Sequence, residues 1–298
     1  MSTEITNINS SSFNQLAEAM GMNADAKTKK QGSTLARLKI DHSGVIGETT
    51  IKGKVKRVEV VDAGSYSLTL PNQEAPSVYQ QNPRIRLFCQ KFMYKKYVSS
   101  GGPEGKGMFV KTEMANDLKG DLRDNVGTFN CGKPSGWIDD YNALPQEQKD
   151  LIKSVKRTRV LFGEVSFDNP VDSQGQEATK LQNIPFIWEV DNKEAFKLLG
   201  VPIAQMVKQN KILPQHFIKL NTEERKIPSG NTYYVPVVSL NPKEIKLNEK
   251  DQETFSGFTD WISSYNDWVV GSFNDASKNT VTDKDTIDEF VAVSEVAA

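Results

Sequence analysis

The chain has 298 residues, with 37 Lys and Arg against 38 Asp and Glu, a net charge of −1 and 37% hydrophobic residues. This composition excludes a fibrous or low-complexity chain, and no apolar run approaches the ~20 residues of a membrane-spanning helix. Two cysteines, Cys89 and Cys131, exclude a disulfide framework and point to a reducing cytoplasm.

Residues 1–34 are rich in Ser, Asn and Lys and are expected to form a flexible arm. They lack the basic-then-apolar pattern of a secretory signal. Within them Ser12 and Gln15 have capping-box spacing, and Phe13, Leu16, Ala17 and Met20 share one helical face. So short a helix either docks on the body or waits for a partner, which includes a second copy of the chain.

The body is expected over residues 35–273. Residues 48–62 are β-branched and alternating and read as one strand. Residues 65–70 follow a turn at Ala63-Gly64, and residues 71–83 read as a polar loop. Residues 84–98, RIRLFCQKFMYKKYV, read as a long strand that returns as a hairpin through residues 108–113. Further strands are expected at 155–167, 183–190, 216–220 and 232–240, with Gly230 at a turn that needs positive φ. Helices are expected at 144–153, over 192–211 with a break at Gly200 and Pro202, and over 250–273, where Phe255, Phe258, Ile262, Tyr265 and Val269 make one apolar stripe. The fold class is therefore α+β, mainly antiparallel.

Charge is unevenly placed. Residues 274–298 hold six acids against two lysines, a net of −4, and are expected to be a disordered acidic tail. Residues 84–111 hold seven bases against Glu104 alone. On an unbroken strand Arg84, Arg86, Phe88, Gln90, Phe92, Tyr94 and Lys96 would share one face. Cations at intervals neutralise phosphates, and flat rings between them stack unpaired bases. Expected phosphate ligands are Arg84, Arg86, Lys91, Lys95, Lys96, Lys111, Arg157 and Arg159; expected stacking rings are Phe88, Phe92, Tyr94 and Tyr97. Tyr97 belongs to the other parity and joins them only if a bulge intervenes.

Other chemistries fit less well. The Gly132-Lys133 pair is followed by Pro134, which breaks the phosphate-loop pattern. His42 and His216 are distant in sequence from each other and from either cysteine, so no metal site is expected. No Gly-x-Ser-x-Gly elbow is present, and no cofactor or catalytic group is expected.

A β-rich body over residues 49–167, basic–aromatic strands, and a polar segment leading to an acidic C-terminus with Phe290 resemble the layout of phage-type single-stranded DNA-binding proteins. The resemblance implies an oligonucleotide-binding (OB-fold) barrel elaborated by helices. It also implies sequence-tolerant binding of single-stranded DNA in DNA replication or recombination, with a tail that contacts replication proteins and competes with DNA. Two rival readings are a viral structural or assembly protein, whose strands bury these rings, and a DNA-processing enzyme.

Overall fold

The computed structural model describes residues 35–51, 54–71, 77–99, 107–136, 138–228 and 230–295. The expected arm at residues 1–34 lies outside them. The strands are β1 (Ala36–Ile40), β2 (Val45–Ile51), β3 (Lys54–Val61), β4 (Tyr66–Thr69), β5 (Val78–Gln80), β6 (Arg84–Val98), β7 (Met108–Lys111), β8 (Lys156–Phe167), β9 (Leu181–Val190), β10 (His216–Lys226) and β11 (Thr232–Glu244). The helices are α1 (Gln146–Ser154), α2 (Lys193–Lys208) and α3 (Glu249–Glu295).

Nine strands form one sheet in the order β11-β10-β6-β8-β9-β1-β4-β5, with β7 paired to the far end of β6. β1 runs parallel to β9, and every other pairing is antiparallel. β2 and β3 pair only with each other, as a separate hairpin. The residues expected as one strand at 48–62 are thus the two arms of that hairpin. Alternation continues through both arms and does not mark the reversal between them.

The sheet curls until β4 approaches β10. There Tyr66 Oη donates to the Asn221 carbonyl at 3.0 Å and Thr222 Oγ1 donates to the Gly64 carbonyl at 2.8 Å. Among the described residues no ladder joins the two strands, so the sheet is open and the expected closed barrel is not formed.

The inner face of the curl holds the largest core. Leu38, Tyr66, Leu68, Ile85, Leu87, Leu161, Val165, Phe167, Phe186 and Trp188 meet there, capped by Ala195, Leu199 and Ile203 of α2. α2 runs unbroken through Pro202. Its start is capped by Asn192, whose side chain accepts from the Glu194 and Ala195 N–H groups at 2.9 Å. Burial of Leu199, Ile203 and Met206 along one stripe offsets the hydrogen bond that proline removes.

The outer face is covered by α3. Phe258 and Ile262 pack on Phe88, Met93, Val160, Phe162 and Ile187, with Trp261 and Tyr265 at the margin. α3 passes the expected end at Phe273, which packs on Phe129 with ring centres 5.1 Å apart, and its backbone continues to Glu295. The boundary expected at residue 274 therefore coincides with no break in the helix. No helix among the described residues is long and apolar enough to cross a membrane.

Candidate nucleic-acid interface

β6 is an interior strand of the sheet, between β10 and β8, and its pairing with β8 slips between Leu87 and Cys89. One extra residue at that bulge inverts the alternation for everything after it. Opposite the bulge stands Gly163, where a Cβ would run into the Arg86 carbonyl. Before the bulge Ile85 and Leu87 face inward, and Arg84, Arg86 and Phe88 face outward. After it Gln90, Phe92, Tyr94 and Lys96 take the inward side, while Cys89, Lys91, Met93, Lys95 and Tyr97 take the outward side. The single row of cations and rings expected from an unbroken strand is divided between two faces.

Most of that row is engaged within the protein. Arg86 is buried, 2.5 Å from the Asp251 carboxylate through Nη1 and 3.8 Å from Glu164, with Nε donating to the Pro214 carbonyl at 2.5 Å. The hydrogen bond from Arg86 holds the Asp251 carboxyl below the usual carboxylate range, while burial pushes Glu164 up. Phe88 is 5% exposed and meets Phe258 edge-on at 5.7 Å. Lys91 donates to Asn116 Oδ1 at 2.6 Å.

Phe92 lies under the guanidinium of Arg159, which is sandwiched at 5.0 Å from Phe92 and 4.6 Å from Phe196 and hydrogen-bonds Gln90. Burial lowers the Arg159 pKa from its ordinary value. Tyr94 is 5% exposed and belongs to a third core with Val110, Leu122, Cys131 and Val155. Lys95 and Lys111 converge on Glu189 at 3.3 and 2.7 Å. Burial favours the neutral form of Glu189, but the two ammonium groups outweigh it and hold the carboxyl low.

Arg86, Phe88, Tyr94 and Arg159 are thus core residues and do not lie on an open track; a strand at the middle of a sheet covered on both faces has little surface to offer. Tyr97 is exposed, against Phe109 with ring centres at 5.1 Å. Arg157 is exposed and Lys96 half-buried, on the inward side at the far end of β6.

Arg84 has a different environment. It is half-buried, its guanidinium lies 4.7 Å from the centre of the Phe217 ring, and its Nε is buried without a hydrogen-bond partner. Among the described residues no carboxylate lies within ion-pair distance of it. It lines a cleft of about 730 Å³ between the base of the β2–β3 hairpin, β5 and β10. Tyr79, Phe217, Lys219 and Asn241 share that cleft, as do Asp62 and Asp168. The two acids accept from Gln81 Nε2 at 2.7 Å and Gln182 Nε2 at 2.8 Å. The hairpin above adds exposed Lys54, Lys56 and Arg57, the last paired with Glu48 at 3.6 Å.

A guanidinium already desolvated against a ring, beside a second ring and an ammonium, can hold a phosphate and a flat base together. Tyr79, Phe217 and Lys219 are not among the expected ligands. The Phe-x-Lys spacing of 217 and 219 on one strand face carried the signal; Tyr79, in a segment read as loop, carried none. Among the described residues no group of three His, Cys, Asp or Glu could hold a metal ion. No family model, curated protein or solved structure matches the chain.

Proposed function

We propose that this chain is a non-catalytic, sequence-tolerant single-stranded DNA-binding protein of viral DNA replication or recombination, and that it takes DNA at the Arg84 cleft. The observation that carries the proposal is the state of Arg84: cationic, packed on Phe217, without a carboxylate, and with an unsatisfied buried N–H beside a large cleft. Lys219 and the exposed bases of β3 extend the positive surface from there. The curled open sheet serves as the strands of an OB-fold barrel do, as a rigid wall beside a groove. The acidic residues beyond Phe273, carried on the continuation of α3, act on replication proteins and compete with DNA for the groove.

The second reading, a viral assembly protein, draws on burial of Phe88 and Tyr94 and on the exposure of Ile46 and Val55 along the hairpin. Titrating a labelled oligothymidylate against salt separates the two. Arg84→Ala should reduce the log–log salt slope by about 0.7, the loss of one phosphate contact on a single strand. Phe217→Ala should weaken binding by ~1–3 kcal/mol, with the thermal midpoint of either variant near wild type. No binding by the wild type at low salt removes the DNA reading and leaves assembly.

A further inference from the structure

The loop at residues 130–136 has no part in the Arg84 cleft, yet it is built with care. Asn130, Cys131 and Gly132 have φ of 54°, 57° and 84°. Two non-glycine residues in the left-handed region cost energy and persist only where neighbours over-determine them. Here Asn130 Oδ1 accepts from the Leu122 N–H at 3.0 Å, Asn130 Nδ2 donates to Asp121 at 2.8 Å, and the Cys131 N–H donates to Asp124 Oδ2 at 3.1 Å.

The turn delivers Lys133 to a point 5.1 Å from the centre of the Tyr94 ring. β8 delivers Arg157 to the same place, because Arg157 is the registered partner of Tyr94. Between them lies a pocket of about 340 Å³, also lined by Lys119, Asp121 and Ser135. Among the described residues no carboxylate pairs with Lys119, Lys133 or Arg157. Asp121 is occupied: hydrogen bonds from Ser135 and Asn130 hold its carboxyl below the usual range. Burial, and then the charge of Arg157, lower the Lys133 pKa. Two cations therefore meet at one pocket, with Lys133 over the Tyr94 ring, and neither forms an ion pair with a carboxylate among the described residues. An anion between them relieves both the repulsion and the desolvation.

We propose that the pocket of Lys133 and Arg157 over Tyr94 is a binding site for a phosphate group, carried by a nucleic-acid backbone or by a small phosphorylated molecule. A guanidinium fork beside an ammonium group matches the several oxygens and the charge of a phosphate better than the two oxygens and single charge of a carboxylate. The site stands without the cleft. It lies ten residues along β6 from Arg84, roughly 33 Å at the rise of a strand, and on the opposite face.

The test uses the full chain with ¹³C-labelled lysine, following the Lys133 ε-carbon signal, assigned by its loss in Lys133→Ala. Inorganic phosphate should shift that signal to saturation at neutral pH and raise the pH at which Lys133 titrates. Arg157→Ala, at an exposed position, should keep the wild-type melt and weaken phosphate by about tenfold or more, the loss of a charge-assisted hydrogen bond. Arg84→Ala should leave the titration unchanged, so failure at the cleft and failure here are distinguishable. Competition of an oligothymidylate with phosphate for the Lys133 signal assigns the ligand to nucleic acid; phosphate saturation with no response to the oligonucleotide assigns it to a small phosphorylated molecule. A Lys133 signal that neither probe moves, or equal phosphate affinity in Arg157→Ala, overturns the proposal.

Discussion

Asp251→Asn tests whether Arg86 belongs to the interior or to a ligand. The Arg86 and Asp251 side chains are each 9% exposed, and Asp251 supplies the near oxygen at 2.5 Å while Glu164 stands off at 3.8 Å. Removing one partner of a buried pair costs ~3–5 kcal/mol, chiefly because the remaining charge is left uncompensated. Glu164 can still approach Arg86, so the low end, ~3 kcal/mol, is expected. At 2–4 °C per kcal/mol for a body of this size, the thermal midpoint should fall by roughly 6–12 °C. Urea unfolding followed by the fluorescence of Trp261 and Trp268 on α3 should show a lower midpoint with an unchanged slope. The pH dependence has a definite sign. The folded Asp251 pKa is depressed, so its stabilisation is present above the unfolded value of ~3.9 and is lost as pH falls through the folded one; the variant should lack that part of the acid limb. Glu164→Gln should cost less, since burial already disfavours the Glu164 charge. DNA affinity per folded molecule should be unchanged in Asp251→Asn. A stability loss below ~1 kcal/mol, or an altered affinity, would refute an interior role for Arg86.

Phe88→Ala removes a ring packed on Phe258 and should cost ~3–5 kcal/mol, read by urea unfolding, with DNA affinity per folded molecule preserved. An intact melt with weakened binding would return Phe88 to the ligand surface. Glu189 is held low by Lys111 and Lys95, so its contribution is present above the unfolded pKa of ~4.3 and disappears as pH falls through the folded value. Glu189→Gln should therefore destabilise near neutral pH and flatten the acid limb; parallel stability–pH curves for variant and wild type would contradict that.

Much of the fold was legible in the sequence. The 84–98 strand, its hairpin with β7, the strand at β8 and, apart from the exposed Phe255, the apolar stripe of α3 all appear, because period-2 and period-3.6 patterns survive burial on one or two faces. Gly230 takes the positive φ its turn requires, at 89°. Other features were not legible. β1 and β5 are short strands whose pairing depends on distant partners, so their five and three residues carry too little pattern of their own. The α2 helix survives Pro202 because tertiary burial outweighs propensity. The bulge in β6 had the largest effect on the candidate site. Alternation read across it places Phe88 beside Phe92 and Arg86 beside Gln90, and the fold separates each pair. The only local trace is Gly163, on a different strand, and nothing in one sequence links it to Leu87.

The parallel pairing of β1 with β9 has a consequence for the order in which the chain can fold. Ala36 and Arg37 register against Phe186 and Ile187, so the third of the sheet that holds β1, β4 and β5 cannot dock until some 150 residues more have been made. The outer face waits longer, because Phe88 and Phe162 are covered only when Phe258 and Ile262 emerge. At 5–20 residues per second, about 170 residues of synthesis leave Phe88 uncovered for roughly 10–30 s. Non-local pairing of this kind slows folding and exposes apolar surface to neighbouring chains meanwhile. A nascent chain ending before α3 therefore presents an uncovered apolar sheet, and α3 decides when that face is closed.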